Sequence, residues 1–405
     1  MIKAPEKTEE RADNVTSMKK YRRRVTGSRV LSFAKVTVIL LILLAVSGTI
    51  YYFRDELTAE NARIILSYFT PDALKKNESL PERVSFVTDT RNSYGIYKNR
   101  FVISSVDGVR MYSAQDSQEE YIPMICQKPV MQITDKFILN YDMGGNTLSV
   151  INNSSAAKTD TYSSSIITAR MNTSGCFSVV TSARGYKALV RVFNSNMQEI
   201  YNWYSADNRV LDVDISPDNK RACIAVLNTQ GTALKGGVTV LDMGMTEPVG
   251  SVITGDMVVI RAAYKDNDCI CAVTDSALIY FDRDGERTGS YDFDGKYLRM
   301  YCSEPKDHTV VVLGRDSVQE DVTLLSISNK AEGEFSSKIS DGVKAIAADD
   351  DKIVVVTNNR LLCMGYDGEI ISQKPLDYDV RGVSLDGDMA YLITSSSAEL
   401  INIKE

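Results

Sequence analysis

Short apolar stretches separated by turn residues fill the chain from residue 84 onwards. Stretches such as FVISSV, RACIAVL and KIVVVT are rich in β-branched residues or alternate in polarity, and no helical period longer than a turn or two interrupts them. Such runs favour half-buried strands, and the Gly, Asp and Asn residues between them favour tight turns. The pattern predicts an all-β domain over residues 84–405.

The predicted strands recur in groups of four. The first strand of each group is expected near Tyr94, Val130, Ile166, Val210, Met257, Tyr297, Val343 and Val380. A period of about 40 residues that holds four short strands is typical of a β-propeller. We therefore predict a propeller of about eight blades. Seven blades are the alternative if one weak group is an insertion, and two stacked β-sandwiches are the competing all-β arrangement.

The last group contains only three strands before the chain ends. Residues 84–88, VSFVT, lie just before the first complete group and have no partners of their own. Pairing them with the last group would remove an exposed sheet edge and join the two ends of the domain. We expect this segment to complete the last blade.

A long apolar segment precedes the β domain. Residues 36–53, VTVILLILLAVSGTIYYF, carry no charge, and LSFA at 31–34 extends the segment. At about 1.5 Å per residue this length crosses a hydrocarbon core of roughly 30 Å. Residues 31–53 are therefore predicted to form a transmembrane helix that anchors the chain in the lipid bilayer. A cleaved signal peptide, with Ala45-Val46-Ser47 near its cleavage site, is the alternative.

Charge is divided unevenly around this segment. Residues 1–35 hold ten Lys and Arg against four acids, a net charge of +6; since the whole chain carries −7, residues 36–405 carry −13. Cations before a span place the N-terminus in the cytoplasm, and the KKYRRR cluster at 19–24 suits anionic headgroups. We expect a disordered cytoplasmic tail over 1–30, a juxtamembrane helix and linker over 54–83, and an extracellular β domain. No nucleic-acid partner is expected, because binding phosphates needs a cationic face.

Residues 210–226, VLDVDISPDNKRACIAV, resemble the strand, Ser-Pro-Asp turn and strand of WD40-like and quinoprotein-like propellers. Together with the basic tail, the single span and the short stalk, they resemble an uncharacterised family of membrane-tethered propeller proteins of Gram-positive bacteria. The resemblance implies the same layout. It implies no activity, because that family has none established.

The residue types needed for most catalytic sites are scarce. His308 is the only histidine, which excludes zinc sites built from several imidazoles, and no GxSxG elbow, GxGxxG motif or Walker loop occurs. Six Asp-Gly pairs fit hairpin turns better than calcium loops, because none is followed by the remaining ligands of an EF-hand. The seven cysteines are expected to be mostly thiols packed between strands. We predict that the protein is not an enzyme and holds no cofactor or metal.

Four cations fall at similar places near the start of predicted innermost strands: Arg261, Arg299, Lys344 and Arg381. In a propeller these places approach one mouth of the axial channel, where converging cations would contact an anion or a partner. The alternative is that each cation pairs with a carboxylate of the neighbouring blade. The predicted function is a non-catalytic binding or scaffold module in the cell envelope, with an envelope protein or a polyanion as its partner. An envelope hydrolase or lyase with its site at the channel mouth is the alternative.

Overall fold

The computed structural model describes residues 80–404 except 88, 90, 115–119, 154 and 316–320. These residues form thirty-two strands in eight antiparallel sheets of four, which is an eight-bladed β-propeller. The prediction of an all-β, eight-bladed propeller is confirmed. No segment of the described chain forms a helix that could cross a bilayer. The predicted tail (1–30), the predicted span (31–53) and residues 54–79 of the predicted linker lie outside the described residues.

The strands follow one another in chain order from blade to blade. Before blade 1 comes β1 (Arg83–Ser85). Blades 1 to 4 contain β2 (Ser93–Tyr97), β3 (Arg100–Ser105), β4 (Gly108–Tyr112) and β5 (Glu120–Pro123); β6 (Pro129–Ile133), β7 (Ile138–Asp142), β8 (Thr147–Asn152) and β9 (Ser155–Thr161); β10 (Ile166–Met171), β11 (Phe177–Ala183), β12 (Tyr186–Phe193) and β13 (Glu199–Ser205); β14 (Asn208–Ile215), β15 (Arg221–Asn228), β16 (Lys235–Asp242) and β17 (Gly250–Gly255). Blades 5 to 8 contain β18 (Val259–Tyr264), β19 (Cys269–Thr274), β20 (Ala277–Asp282) and β21 (Arg287–Asp292); β22 (Tyr297–Cys302), β23 (His308–Gly314), β24 (Val322–Ser328) and β25 (Gly333–Ile339); β26 (Val343–Ala348), β27 (Ile353–Thr357), β28 (Arg360–Met364) and β29 (Ile370–Pro375); β30 (Gly382–Asp386), β31 (Met389–Ile393) and β32 (Ser397–Asn402).

The first strand of the described chain closes the ring. The last blade has the order β1-β32-β31-β30, with Val84 opposite Ala398 in an antiparallel pair. Val84 is buried, and the Tyr391 hydroxyl donates a hydrogen bond of 2.6 Å to the carbonyl oxygen of Pro81. The prediction that the 84–88 segment completes the last blade is confirmed, with the strand itself covering Arg83–Ser85.

All eight predicted blade starts lie within two residues of the first residue of an observed inner strand. Two of them, Met257 and Val380, lie in the loops just before β18 and β30. Val380 is fully buried in the apolar cluster of the last two blades, and Met257 packs against the cluster between blades 4 and 5. Apolar residues that seal the end of a blade interface therefore look like strand residues in the sequence.

The core consists of apolar layers between successive blades. Alternate side chains of a strand face opposite sides of its sheet, so each blade packs against both neighbours. Between blades 3 and 4 this layer includes Val190 and Ile224, and between blades 8 and 1 the rings of Phe101 and Tyr391 lie 4.4 Å apart. Burying one such large side chain contributes about 1.5–3 kcal/mol. Only a closed ring completes all of these layers, because an opening would expose the two faces at the break.

The strand connections alternate between two faces of the ring. The first and third connections of each blade lie on one face, which we call the turn face; in blade 3 they are residues 172–176 and 194–198. The second connection and the loop to the next blade lie on the other face, which we call the crossover face; in blade 3 they are residues 184–185 and 206–207. Antiparallel pairing along each blade produces this division.

Ring closure predicts a sharp difference between two neighbouring positions of β1. Val84→Asp would bury an unpaired carboxylate against blade 8 and should lower the free energy of unfolding by about 3 kcal/mol or more. Ser85→Asp, on the exposed side of the same strand, should leave it nearly unchanged. Urea unfolding followed by circular dichroism measures both variants. Equal stability of the two variants would contradict closure by β1.

Candidate functional site

The inner strands of blades 3 to 7 share one irregularity near the crossover face. Each contains a β-bulge, a residue without a cross-strand partner, and the bulged residues are Ile167, Leu211, Ile260, Arg299 and Lys344. Bulges redirect a side chain and commonly lie beside binding sites. From blade 3 to blade 7 the bulged residues are therefore three aliphatic residues followed by two cations. Ile167 and Leu211 pack against the apolar clusters between blades.

Relative to these bulges, the four predicted contact residues occupy three different positions. Arg299 and Lys344 are bulged residues, but Arg261 lies one residue after the bulge of its strand, opposite Val273. Arg381 lies just before β30, outside the strand. A shift of one residue turns a strand side chain to the other side of its sheet. The side chain of Arg261 is consequently buried toward blade 4, which the spacing in the sequence could not reveal.

Asp212 lies between two arginines and joins three blades. Its Oδ1 is 3.1 Å from Nε of Arg170 in blade 3, and its Oδ2 is 2.6 Å from Nη1 of Arg261 in blade 5. Asp214 adds a contact of 3.7 Å to Nη2 of Arg261 and accepts a hydrogen bond from the backbone N–H of Tyr264. Only 4% of the Asp212 side chain is exposed. The carboxylates that could have formed an acid-base pair are thus engaged with guanidinium groups.

Burial and charge act in opposite directions on this cluster. Burial raises the pKa of Asp214, and the nearby Arg261 only partly opposes that rise. Burial alone would lower the pKa of Arg261, but Asp212 and Asp214 outweigh it and raise that pKa above its usual value. Arg261 therefore stays charged inside the ring. A structural ion pair accounts for these shifts without a ligand.

Lys344 and Arg381 share the carboxylate of Asp379, which lies in the loop between blades 7 and 8. Lys344 Nζ pairs with Oδ1, and Arg381 Nε lies 3.2 Å from Oδ2. The two cations, Lys344 first, hold the pKa of this exposed carboxyl below its usual range. Arg299 lies against the backbone of blade 6, because a Cβ atom at Gly314 would fall 2.3 Å from its Nε. An anion contact by these residues stays a prediction.

A cavity of about 430 Å³ opens along the inner strands of blades 6 to 8. Its lining is mostly apolar and consists of Arg299, Met300, Tyr301, Ala345, Ile346, Gly382 and Val383. Burial raises the pKa of Tyr301, so its hydroxyl stays neutral. The lining can hold an apolar group near a cation. It contains no carboxylate, imidazole or thiol for proton transfer or nucleophilic attack.

On the turn face, a buried lysine ties blade 5 to blade 6. The ammonium group of Lys265 donates hydrogen bonds to the carbonyl oxygens of Ser303, Pro305 and His308 at 2.8, 2.9 and 2.8 Å. Burial lowers the pKa of Lys265. These three acceptors satisfy all three ammonium donors. The sequence shows only a lysine in a polar turn, so this role could not be predicted from it.

The remaining chemically interesting residues also have structural surroundings. Nε2 of His308 lies 2.7 Å from Oε2 of Glu334, and its ring stacks on Tyr366 with centroids 4.1 Å apart. All seven cysteines are free and all but Cys269 are buried. Burial raises the pKa of both Cys126 and Cys269 to about 12, which makes them poor nucleophiles. No group of three or more potential metal ligands occurs in the described part of the chain.

The Asp-Gly turns have the expected backbone. The six glycines of these pairs all have positive φ: Gly108, Gly285, Gly295, Gly342, Gly368 and Gly387. Glycine adopts this conformation without a steric penalty. Four of the pairs lie in hairpin connections, as predicted, whereas Asp294-Gly295 and Asp341-Gly342 lie in the loops that lead to blades 6 and 7.

Exposed apolar side chains are concentrated on the crossover face. Of the fourteen large hydrophobic residues exposed among the described residues, nine lie there: Val87, Ile125, Tyr186, Tyr204, Leu234, Ile253, Ile260, Tyr297 and Tyr378. The other five are Tyr121, Ile200, Met245, Ile370 and Ile371. Sequence reasoning missed this surface, because apolar residues in loops can either seal a blade interface or remain exposed.

The bridging position of Asp212 predicts a large effect of its removal. Asp212→Ala would leave two largely buried guanidinium groups without their shared partner and should lower the free energy of unfolding by about 3–5 kcal/mol. Asp379→Ala breaks the exposed pairs of Lys344 and Arg381 and should have little effect, because solvent screens them. Thermal and urea unfolding compare the two variants. Similar losses would show that Asp212 does not tie the blades together.

The chain matches no curated protein. It resembles solved propellers in fold: BamB from Moraxella catarrhalis (11% identity, 80% of this chain and 99% of that chain, TM-score 0.50), Saccharomyces cerevisiae Sqt1 (8%, 80% and 100%, 0.58) and the Dos1 propeller (9%, 81% and 95%, 0.59). At these identities the likeness concerns the fold alone. A model of a family of unknown function, DUF5711, matches residues 75–403, and the chain belongs to that family.

Proposed function

We propose that this protein is a membrane-anchored, extracytoplasmic propeller that acts as a non-catalytic binding or scaffold module of the cell envelope. Its partner is a protein that docks on the crossover face. A propeller suits this role because its closed ring presents loops from eight blades on one rigid surface.

The distribution of exposed apolar side chains carries the proposal. Solvent-exposed apolar side chains that gather on one surface are typical of protein-protein interaction sites, whereas scattered ones need no explanation. The crossover face holds four exposed tyrosines, and tyrosine is enriched in interfaces. They are Tyr186, Tyr204, Tyr297 and Tyr378. The turn face carries buried polar contacts that tie blades together, such as those of Lys265.

The contacts around the channel favour binding over catalysis. A hydrolase or lyase at the channel mouth would need a carboxylate or an imidazole that is free to exchange a proton. Asp212 and Asp214 face guanidinium groups, and His308 lies near the turn face with Glu334 and Tyr366. These contacts leave the channel mouth suited to holding a ligand or partner.

The sequence supports the envelope location. The uncharged segment at 36–53 has the length of a span, and the excess of cations before it favours a cytoplasmic N-terminus. The resemblance to membrane-tethered propellers of Gram-positive bacteria supports the same layout. On this basis the propeller lies outside the cell and meets its partner there.

Photocrosslinking in intact cells tests the docking face. A benzophenone amino acid replaces Tyr297 on the crossover face or, as the matched control, Ile370 near the turn face; their exposures are 65% and 55%. We expect a discrete crosslinked adduct from position 297 and none from position 370. Adducts from position 370 alone, or none from either position, would contradict the proposed function.

Protease accessibility tests the orientation. Protease added to intact cells should cut after residue 54 and release the C-terminal region, while an epitope tag at residue 1 stays protected. Cells made permeable to the protease provide the control, in which the tag should be lost as well. Loss of the tag from intact cells, with the C-terminal region protected, would refute the orientation.

A further inference from the structure

Four exposed cations gather on the crossover face of blades 3 and 4: Arg184, Lys187, Arg209 and Lys235. None of them lies within ion-pair distance of a carboxylate of the described chain, in contrast to Arg170 and Arg261 at the axis. Only two acids, Asp207 and Asp256, lie in the loops between them, so this sector has a local excess of positive charge. Residues 36–405 together carry −13. The local net charge of this surface is therefore opposite in sign to the net charge of residues 36–405.

Apolar side chains lie among these cations. The rings of Tyr186 and Tyr204 in blade 3 are 4.7 Å apart and tilted by 46°, and each residue is 48% exposed. Leu234 and Ile253 in blade 4 are 51% and 64% exposed. The two blades are joined across this surface, because Nε2 of Gln230 donates a hydrogen bond of 3.2 Å to Asp207. We call these four cations and four apolar residues the blade 3/4 sector.

A glycine opposite Ile253 helps to keep its side chain uncovered. The cross-strand partner of Ile253 is Gly237, which has no side chain to lie over it. A Cβ atom at the preceding Gly236 would fall 2.0 Å from the carbonyl oxygen of Met257, so the loop to blade 5 passes directly against this strand. The backbone of blade 4 thus leaves an exposed apolar side chain beside Lys235.

We propose that the blade 3/4 sector binds an acidic segment of a partner protein that also carries apolar side chains; this rests on the proposed function. Arginine and lysine bind carboxylates through charge-assisted hydrogen bonds, and neighbouring aromatic residues supply area that loses water on binding. Charge complementarity selects the partner, because the rest of the domain repels an acidic chain. The paired tyrosine rings then anchor its apolar side chains.

An anionic bilayer would also attract these cations, but the arrangement of the rings, apolar residues and acids favours a peptide. The tyrosine rings pack on each other instead of projecting separately, and the apolar residues are divided between two blades. Asp207 and Asp256 lie among the cations, where lipid phosphates would be repelled. A flexible acidic chain can place its carboxylates on the cations and avoid these two acids.

Binding of a model polymer tests the sector directly. The full chain is purified in a non-ionic detergent and titrated into a fluorescent copolymer of glutamate and tyrosine, with polyglutamate as the probe that lacks rings. We expect the copolymer to bind more tightly than polyglutamate. The double variant Arg184→Glu/Lys187→Glu should weaken copolymer binding at least tenfold. The control Lys220→Glu/Lys330→Glu, which reverses two exposed cations of the turn face, should change it less than twofold.

The remaining measurements separate the possible failures. Equal effects of the two double variants, or no copolymer binding, would overturn the assignment of the sector. Flotation with vesicles of phosphatidylglycerol and phosphatidylcholine tests the lipid alternative. It is carried out both with the full chain and with the soluble propeller domain that protease releases. A tenfold loss of vesicle binding that occurs only in the Arg184/Lys187 variant, without copolymer binding, would assign the sector to a bilayer. Crosslinking from position 297 that survives in the Arg184/Lys187 variant, together with unchanged copolymer binding, would overturn this inference and leave the proposed function standing.

Discussion

The pairing of β1 with β32 is the contact on which the rest of the structure depends. Each blade buries both of its faces against neighbours, so the apolar layers are complete only in a closed ring. Without β1, blade 8 would lose its outer strand and the buried contact of Val84, and the layer that holds Phe101 and Tyr391 would be weakened. The loops of the crossover face keep their relative positions only as long as this closure holds.

Two kinds of polar contact stabilise the ring around its axis. Blades 3 to 5 share the buried charges around Asp212, and blades 5 and 6 share the buried ammonium group of Lys265. Blades 7 and 8 instead share the exposed carboxylate of Asp379. Removing one partner from a buried pair is costly, whereas exposed pairs contribute little. The blade 3/4 sector therefore lies on the side of the ring whose blades are tied by buried charges, which suits a surface that must keep its shape.

The fold could be predicted from the sequence because it depends on repetition. The period of about 40 residues, the Asp-Gly turns and the unpaired strand at residue 84 are all visible in the order of residues. The site could be predicted only in part, because it depends on shifts of one residue. The bulge at Ile260 turns Arg261 into the interior, and the exposure of Ile253 depends on a glycine in a neighbouring strand. Neither relation leaves a pattern along the chain.

The place of β1 in the last blade also bears on the order in which the protein is made. The hydrogen bond from Tyr391 to Pro81 joins residues 310 positions apart. At about 5–20 residues per second, a ribosome needs roughly 15–60 s to add that length, and non-local pairing of this kind is intrinsically slow. Blades 1 to 7 can form while the chain is still being translated, but β1 has no partner until β32 has been translated. A nascent chain that stops before residue 397 would lack β32 altogether, so its β1 would stay unpaired and its ring would stay open.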